Sequence, residues 1–264
     1  MITCFVKLLS LNLWGGRAYG SLMEFLEKYN GDVDIFCFQE IFDTADNVVE
    51  TGGARANLYQ ELSNLFIDYH GFYYPTCRGV DPTGHIGFDL KYGLGIFVKK
   101  SIIIDNQGDF FTFRSRFAPM KPDFTDNPSN VSYVSFNKDG KNFLICNIHG
   151  IWHPGDKLDN SDRIAQSEKT LEFTRKHAGP KILCGDFNLR PYTQCIKMIE
   201  QDFINLIKKN EIKTTRSSLD PYQGTPEFQP FADYTFVSKD INVVSFEVPV
   251  VEVSDHLPMV LEFE

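Results

Sequence analysis

Short apolar runs alternate with amphipathic stretches along most of the chain, and nearly every run ends on a polar cluster. The runs predict strands at 4–13, 35–39, 95–98, 131–136, 143–148, 182–184, 234–237, 243–250 and 259–263. Between them, helical spacing predicts a helix over 161–176, where Ile164, Leu171 and Phe173 supply apolar positions and His177-Ala178-Gly179-Pro180 supplies stop signals. A second helix begins near Ser21, with Leu22, Phe25 and Leu26 on one stripe, and a third covers 54–66. Strand-plus-polar blocks occur early and late with no linker between, so one domain over 1–264 is expected, built as two sheets with helices outside.

The polar blocks at the ends of the runs are Leu11-Asn12-Leu13, Phe38-Gln39-Glu40, Asn147-Ile148-His149, Gly185-Asp186-Phe187-Asn188, Ala232-Asp233-Tyr234 and Ser254-Asp255-His256. They are rich in carboxylates and carboxamides and carry two histidines, an inventory suited to a hard divalent cation and a phosphate. In extended backbone the Asp186 and Asn188 side chains point to one face and Phe187 to the core. There the carboxylate can orient or deprotonate a water while the carboxamide donates to a phosphate oxygen. An Asx-turn closing the strand is the equally weighted alternative.

Glu40 emerges from a buried strand and reads as a metal ligand, and Asn12 as a ligand-bonding or turn residue. Asp233 is placed to hold the tautomer of His256, making a phosphate-facing pair, with Asp255 toward metal or water. His149 reads as a second imidazole for the phosphate. The loop after it carries Trp152, which can stack on a base, sugar or aromatic leaving group or simply pack on the rim.

Composition narrows the reading only a little. A chain of 264 residues with 42% hydrophobic content is ordinary globular material, and a net charge of −9 argues against gripping long duplex nucleic acid through a basic surface. Of six cysteines, Cys4, Cys37, Cys146 and Cys184 lie in apolar runs without Cys-x-x-Cys spacing and read as reduced core residues. Lys7 interrupts the apolar N-terminus, and no run approaches the ~20 residues that span a bilayer, so a cytoplasmic protein without stable membrane insertion is expected. Monomer is the default.

Taken together and in order, the six blocks resemble the endonuclease/exonuclease/phosphatase (deoxyribonuclease I-like) superfamily over nearly the whole chain. The resemblance implies an α/β (α+β) fold, a four-layered α/β/β/α sandwich of two mixed sheets flanked by helices. It implies Mg²⁺ or Mn²⁺ bound by Glu40 with help from Asn12 and Asp255, water activation or orientation by Asp186, and phosphate contacts from Asn188, His149 and His256, with Asp233 orienting His256. It also implies a phosphodiester substrate, a nucleic acid or nucleotide. Where nuclease relatives place an acid to pair with His149, this chain reads Lys91-Tyr92-Gly93-Leu94, so Tyr92 or Lys91 is expected to reach a phosphate instead, with Asp89 the weaker candidate.

The first functional reading is a metal-dependent nuclease or nucleotide-type phosphodiesterase, with Arg216 adding a phosphate contact. The second is a sphingomyelinase-like lipid phosphodiesterase, prompted by Glu40-Ile41-Phe42-Asp43 and by Phe110, Phe111, Phe113 and Phe117 as a membrane-touching hairpin. Those rings alternate with Thr112, Arg114 and Arg116, which also fits a half-buried strand. The third is a catalytically silent scaffold. Substrate choice is assigned to the loops 44–54, 76–91, 114–130 and 219–230.

Overall fold

In the computed structural model, which describes residues 5–121, 125–153 and 156–264, the apolar runs form two six-stranded sheets stacked face to face. The expected burial of Cys4 lies outside the described residues. In chain order the strands are β1 Val6–Asn12, β2 Ile35–Asp43, β3 Tyr69–Arg78, β4 Lys91–Lys99, β5 Ile104–Phe113, β6 Ser129–Lys138, β7 Lys141–His149, β8 Lys181–Asp186, β9 Phe203–Asn205, β10 Asp233–Ser238, β11 Val243–Glu247 and β12 Met259–Phe263. The first sheet has the order β11-β12-β1-β2-β4-β3 and the second β9-β10-β8-β7-β6-β5. Helices α1 Tyr19–Tyr29 and α2 Leu58–Leu65 cover the first sheet; α3 Ser161–Arg175 and α4 Gln194–Asp202 cover the second.

The runs read as nearly continuous apolar sequence because both faces of each sheet are buried. Leu8, Ile35, Cys37, Ile96 and Val98 point between the sheets and meet Val134, Phe136, Phe143, Ile145 and Ile182 of the second. Leu9, Leu11, Phe36 and Phe38, one residue out of phase, face α1 and α2, as Leu144, Cys146 and Leu183 face the other helical layer. This is the expected α/β/β/α sandwich. Each fully buried Leu or Phe side chain contributes roughly 1.5–3 kcal/mol.

Each sheet contains one parallel pair, β1 with β2 and β7 with β8, and in each the connection contains the covering helix, α1 or α3. The carboxyl ends of both pairs therefore lie at one rim, where Asn12, Glu40, His149 and Asp186 sit. The rim is where open α/β sheets present ligand-binding groups. Towards it, the layer between the sheets turns polar: Gln39 Nε2 donates to Asn147 Oδ1 at 2.6 Å, and Asn147 Nδ2 donates to the Phe38 and Gly95 carbonyls across the seam. These bonds tie the sheets together immediately beneath the site.

Several elements differ from expectation. β3 and β5 are edge strands with exposed and half-buried positions, so neither shows the unbroken apolar run of a central strand. Within 54–66 only Leu58–Leu65 is helical, while Ala54–Arg55 pairs with Glu50–Thr51. The helix over 161–175 exists, but its buried face is largely polar: Arg163, Gln166, Ser167, Thr170 and Thr174 accompany Leu171. Among the described residues no helix is long and apolar enough to cross a membrane.

Candidate active site

The sandwich rim encloses a cleft of about 620 Å³ whose floor carries Glu40, His149, Asp186, Asn188, Asp255 and His256. Its walls come from the loops to which substrate choice was assigned: Val80 and Asp81, Asn127 and Pro128, Tyr222 and Glu227 all line it.

A β-bulge delivers Glu40. The register of β2 on β4 slips between Phe38 and Ile41, and Glu40 takes φ 57°, leaving the alternation that would have turned it into a helical layer. A non-glycine residue in the left-handed region costs roughly 1–2 kcal/mol. Asn12, at the end of β1, donates through Nδ2 to Glu40 Oε1 at 3.1 Å and to Asp186 Oδ2 at 3.2 Å, while its Oδ1 accepts from Trp14 N. As oriented, Asn12 therefore presents its amide hydrogens to the two carboxylates.

Asp186 ends β8 and is buried. Asn188 does not continue the strand: it has φ 53°, its backbone N–H donates to Asp186 Oδ1 at 2.8 Å, and its Nδ2 donates to the Gly150 carbonyl at 3.2 Å. The Asx-turn alternative describes this geometry, so the shared face expected of an extended Asp-Phe-Asn is not formed. Both residues nevertheless line the cleft. Burial alone would raise the Asp186 pKa, but His256, Lys157, His149 and Arg216 hold it well below the ordinary carboxylate range.

His256 Nδ1 lies 2.8 Å from both oxygens of Asp233, which opens β10 directly across from Asp186. Its Nε2 faces the cleft, 3.6 Å from Asp186 Oδ2. Burial and Arg216 push the imidazole pKa down; the Asp233, Asp255 and Asp186 carboxylates outweigh them and keep it above the usual value. Arg216 bridges the same corner, Nη1 reaching Asp255 Oδ2 at 2.8 Å and His256 Nε2 at 2.6 Å, with Nε 3.4 Å from Asp220. The guanidinium is thus spoken for by protein groups as well as lining the cleft.

His149 sits on the opposite side, Nε2 3.8 Å from Glu40 and 3.9 Å from Asp186, with the Tyr92 hydroxyl 3.4 Å from Nδ1. Tyr92 thereby occupies the position beside His149 left vacant by the missing acid, while Asp89 pairs with Arg78. Trp152 stands 42% exposed at the rim.

The donor set suits a hard divalent ion. Burial raises the Asp255 pKa, against the lowering by His256 and Arg216 and with smaller help from Glu40 and Asp220; Glu40 and Asp255, both lining the cleft, supply the hard oxygen ligands. Asp186, Asp233 and His256 also offer ligand atoms within 4.8 Å of one another. In that trio the mutual hydrogen bonds already occupy Asp233 and Nδ1 of His256.

Sequence reasoning gave no role to Lys157, which lines the cleft at 8% exposure, or to the buried Arg163 behind it. The stretch named for membrane contact is strand β5 as far as Phe113, paired antiparallel with β6, which fits the half-buried-strand alternative: Phe110 packs on Phe173 at 4.3 Å between ring centroids, and Arg116 and Arg78 lie over Phe111 and Phe117.

A family model described as Endonuclease/Exonuclease/phosphatase family matches residues 9–256. No curated protein matches the chain. Among solved structures, an endonuclease/exonuclease/phosphatase from Bacteroides vulgatus superposes with TM-score 0.70 at 17% identity, covering 99% of each chain. A mannosyl-6-phosphatase from Bacteroides thetaiotaomicron gives TM-score 0.65 at 21% identity, covering 98% of this chain and 99% of that one. The human Nocturnin catalytic domain with a bound sulfate anion gives 0.66 at 20%, covering 98% and 93%. At such identities these likenesses establish the fold.

Proposed function

The chain belongs to the Endonuclease/Exonuclease/phosphatase family, whose members are phosphoester hydrolases, and from that membership we propose a divalent-metal-dependent phosphodiesterase acting on a nucleic acid or nucleotide-type diester. The carrying observation is the Asp186 carboxylate, fixed by two hydrogen bonds at the floor of the cleft and ringed by His256, Lys157, His149 and Arg216. A carboxylate held that far into its ionised form is a weak base. It therefore orients a water for in-line attack. Glu40 and Asp255 are the residues to hold Mg²⁺ or Mn²⁺, with Asn12 fixing Glu40. Such an ion polarises phosphoryl oxygens and acidifies bound water.

Arg216, with Nη1 2.6 Å from His256 Nε2, supplies positive charge at the corner that the Asp233–His256 pair orders, where phosphoryl oxygens gain negative charge, and His149 supplies a second imidazole across the cleft. Trp152 and the exposed Tyr222 give the rim aromatic faces for a base. A phosphomonoesterase is the second reading, favoured by the similarity to a structure described as a mannosyl-6-phosphatase. A silent scaffold gains no support, because no member of the polar set is replaced.

The test is hydrolysis of bis-p-nitrophenyl phosphate, p-nitrophenyl phosphate, single- and double-stranded DNA, RNA and sphingomyelin with Mg²⁺, Mn²⁺ or chelator, for wild type and Asp186→Ala. Diester turnover that needs the metal and vanishes in the variant is expected. Preferential turnover of the monoester selects the second reading, and a folded, metal-binding protein that turns over nothing removes both.

A further inference from the structure

Lys157 is a cation without a counter-ion. Its side chain is 8% exposed, its ammonium is buried, and among the described residues it has neither a hydrogen bond nor an ion pair. A buried ammonium left unpaired is costly, and such groups are ordinarily paired. The other cations of the cleft floor have protein partners: Arg216 is held by Asp255 and Asp220, and His256 by Asp233.

The fold spends several bonds on keeping Lys157 there. Its carbonyl accepts from Arg190 N at 2.9 Å, which ties it to the loop that follows Asp186 and carries Asn188. On the other side the fully buried Arg163 of α3 clasps the chain around it. Nε donates to the Ile151 carbonyl at 3.1 Å, Nη2 to the Asp156 carbonyl at 3.1 Å, and Nη1 to Asp156 Oδ1 at 2.9 Å and the Leu158 carbonyl at 2.5 Å. A lysine that lines the cleft and whose neighbours on both sides are pinned is a built feature of the site.

Resting on the phosphoesterase reading, we infer that Lys157 is a further phosphate-binding residue of this cleft, its ammonium taking a non-bridging oxygen of a phosphoryl group bound over the floor formed by Asp186 and His256. The ligand supplies the missing counter-charge. The groups acting on Lys157 are consistent with that place: Arg216 repels it and Asp186, Asp233 and Asp255 attract it. Burial, reinforced by Arg216, pushes its pKa down to about 8 against those three carboxylates, so an arriving anion also recruits a proton.

Sulfate, an anion that does not itself titrate near neutrality, is the probe. Calorimetric titration of wild type, Lys157→Met and Lys157→Arg at pH 7.5 is expected to show binding weakened at least about tenfold in the Met variant and partly retained in Arg. Equal affinity in wild type and Lys157→Met, or no sulfate binding by wild type, overturns the inference. Acetylation of wild-type lysines, mapped by mass spectrometry, covers a misfolded variant: sulfate should protect Lys157, and unchanged labelling overturns the inference. The two readings fail separately. Sulfate binding that depends on Lys157 in a protein without turnover retires the enzyme proposal alone, whereas metal-dependent turnover with sulfate binding intact in Lys157→Met retires this one alone.

Discussion

Both carboxylate oxygens of Asp233 lie 2.8 Å from Nδ1 of His256, on a strand whose register sets Asp233 directly opposite Asp186. The carboxylate therefore fixes the imidazole tautomer and turns Nε2 towards the cleft. Asp233→Asn should lower kcat by on the order of 10³- to 10⁴-fold with little change in secondary structure, as steady-state kinetics and circular dichroism can establish.

The same pair predicts a pH dependence of stability. The folded-state pKa of His256 is raised above its unfolded value, so the imidazolium's contribution is fully present below about pH 6.5 and is lost as pH rises through the folded value. Asp233→Asn removes the largest of the three carboxylate attractions behind that contribution. Its deficit in Tm relative to wild type should be larger at pH 6 than at pH 9, and an equal or reversed deficit would contradict the assigned direction.

Gly150 separates His149 from the loop that carries Trp152, and a Cβ there would sit 2.2 Å from the Phe187 carbonyl oxygen. Its N–H donates to the Asp186 carbonyl at 2.7 Å and its own carbonyl accepts from Asn188. Gly150→Ala must spread the His149 and Asn188 segments, and displacements of about 1 Å cost roughly 100-fold in rate. A fall of about that size in kcat/KM is expected.

Arg163 makes four hydrogen bonds to the 151–158 segment while 1% exposed. Arg163→Met removes all four bonds; the acceptor left buried and unpaired is the Ile151 carbonyl, at about 1–3 kcal/mol, while Asp156 and Leu158 can turn to water. The expected outcome is faster proteolytic cleavage within this segment in limited digestion, together with weaker sulfate binding through displacement of Lys157.

Phe97, 1% exposed, packs against Phe38, Tyr59 and Phe66 in the layer beneath α2. Phe97→Ala should cost about 3–5 kcal/mol in a denaturant titration through lost transfer energy and the cavity left behind. It lies away from the rim, so the loss should fall on stability rather than on kcat.

The parts of the site that were legible in the sequence are those a strand delivers. Asn12, Glu40, His149, Asp186, Asp233 and His256 each end, begin or adjoin an apolar run, and runs buried on both faces are conspicuous in composition. Lys157 and Arg163 were illegible for the opposite reason. Lysine in an irregular segment and arginine at a helix start ordinarily mean solvent, and only the contacts of α3 with the preceding loop reveal them as buried. The edge strands β3 and β5 escaped because exposure of part of each strand breaks the apolar pattern. Asn188 was misdirected by assuming extended backbone beyond Asp186, where the chain enters the left-handed region. The signal for α4 was present at its start, where Thr193 caps Ile196 N.

The antiparallel pairing of β1 with β12, running from Val6 with Phe263 to Ser10 with Met259, bears on how the protein is made. During vectorial synthesis β1 leaves the ribosome long before its partner, and one side of this central strand keeps its backbone groups unpaired until residues 259–263 have emerged. The catalytic corner waits for the same late segment, which also delivers His256. A nascent chain that has not yet extruded residues 259–263 leaves β1 as an open edge and is the form most exposed to chaperones and to self-association.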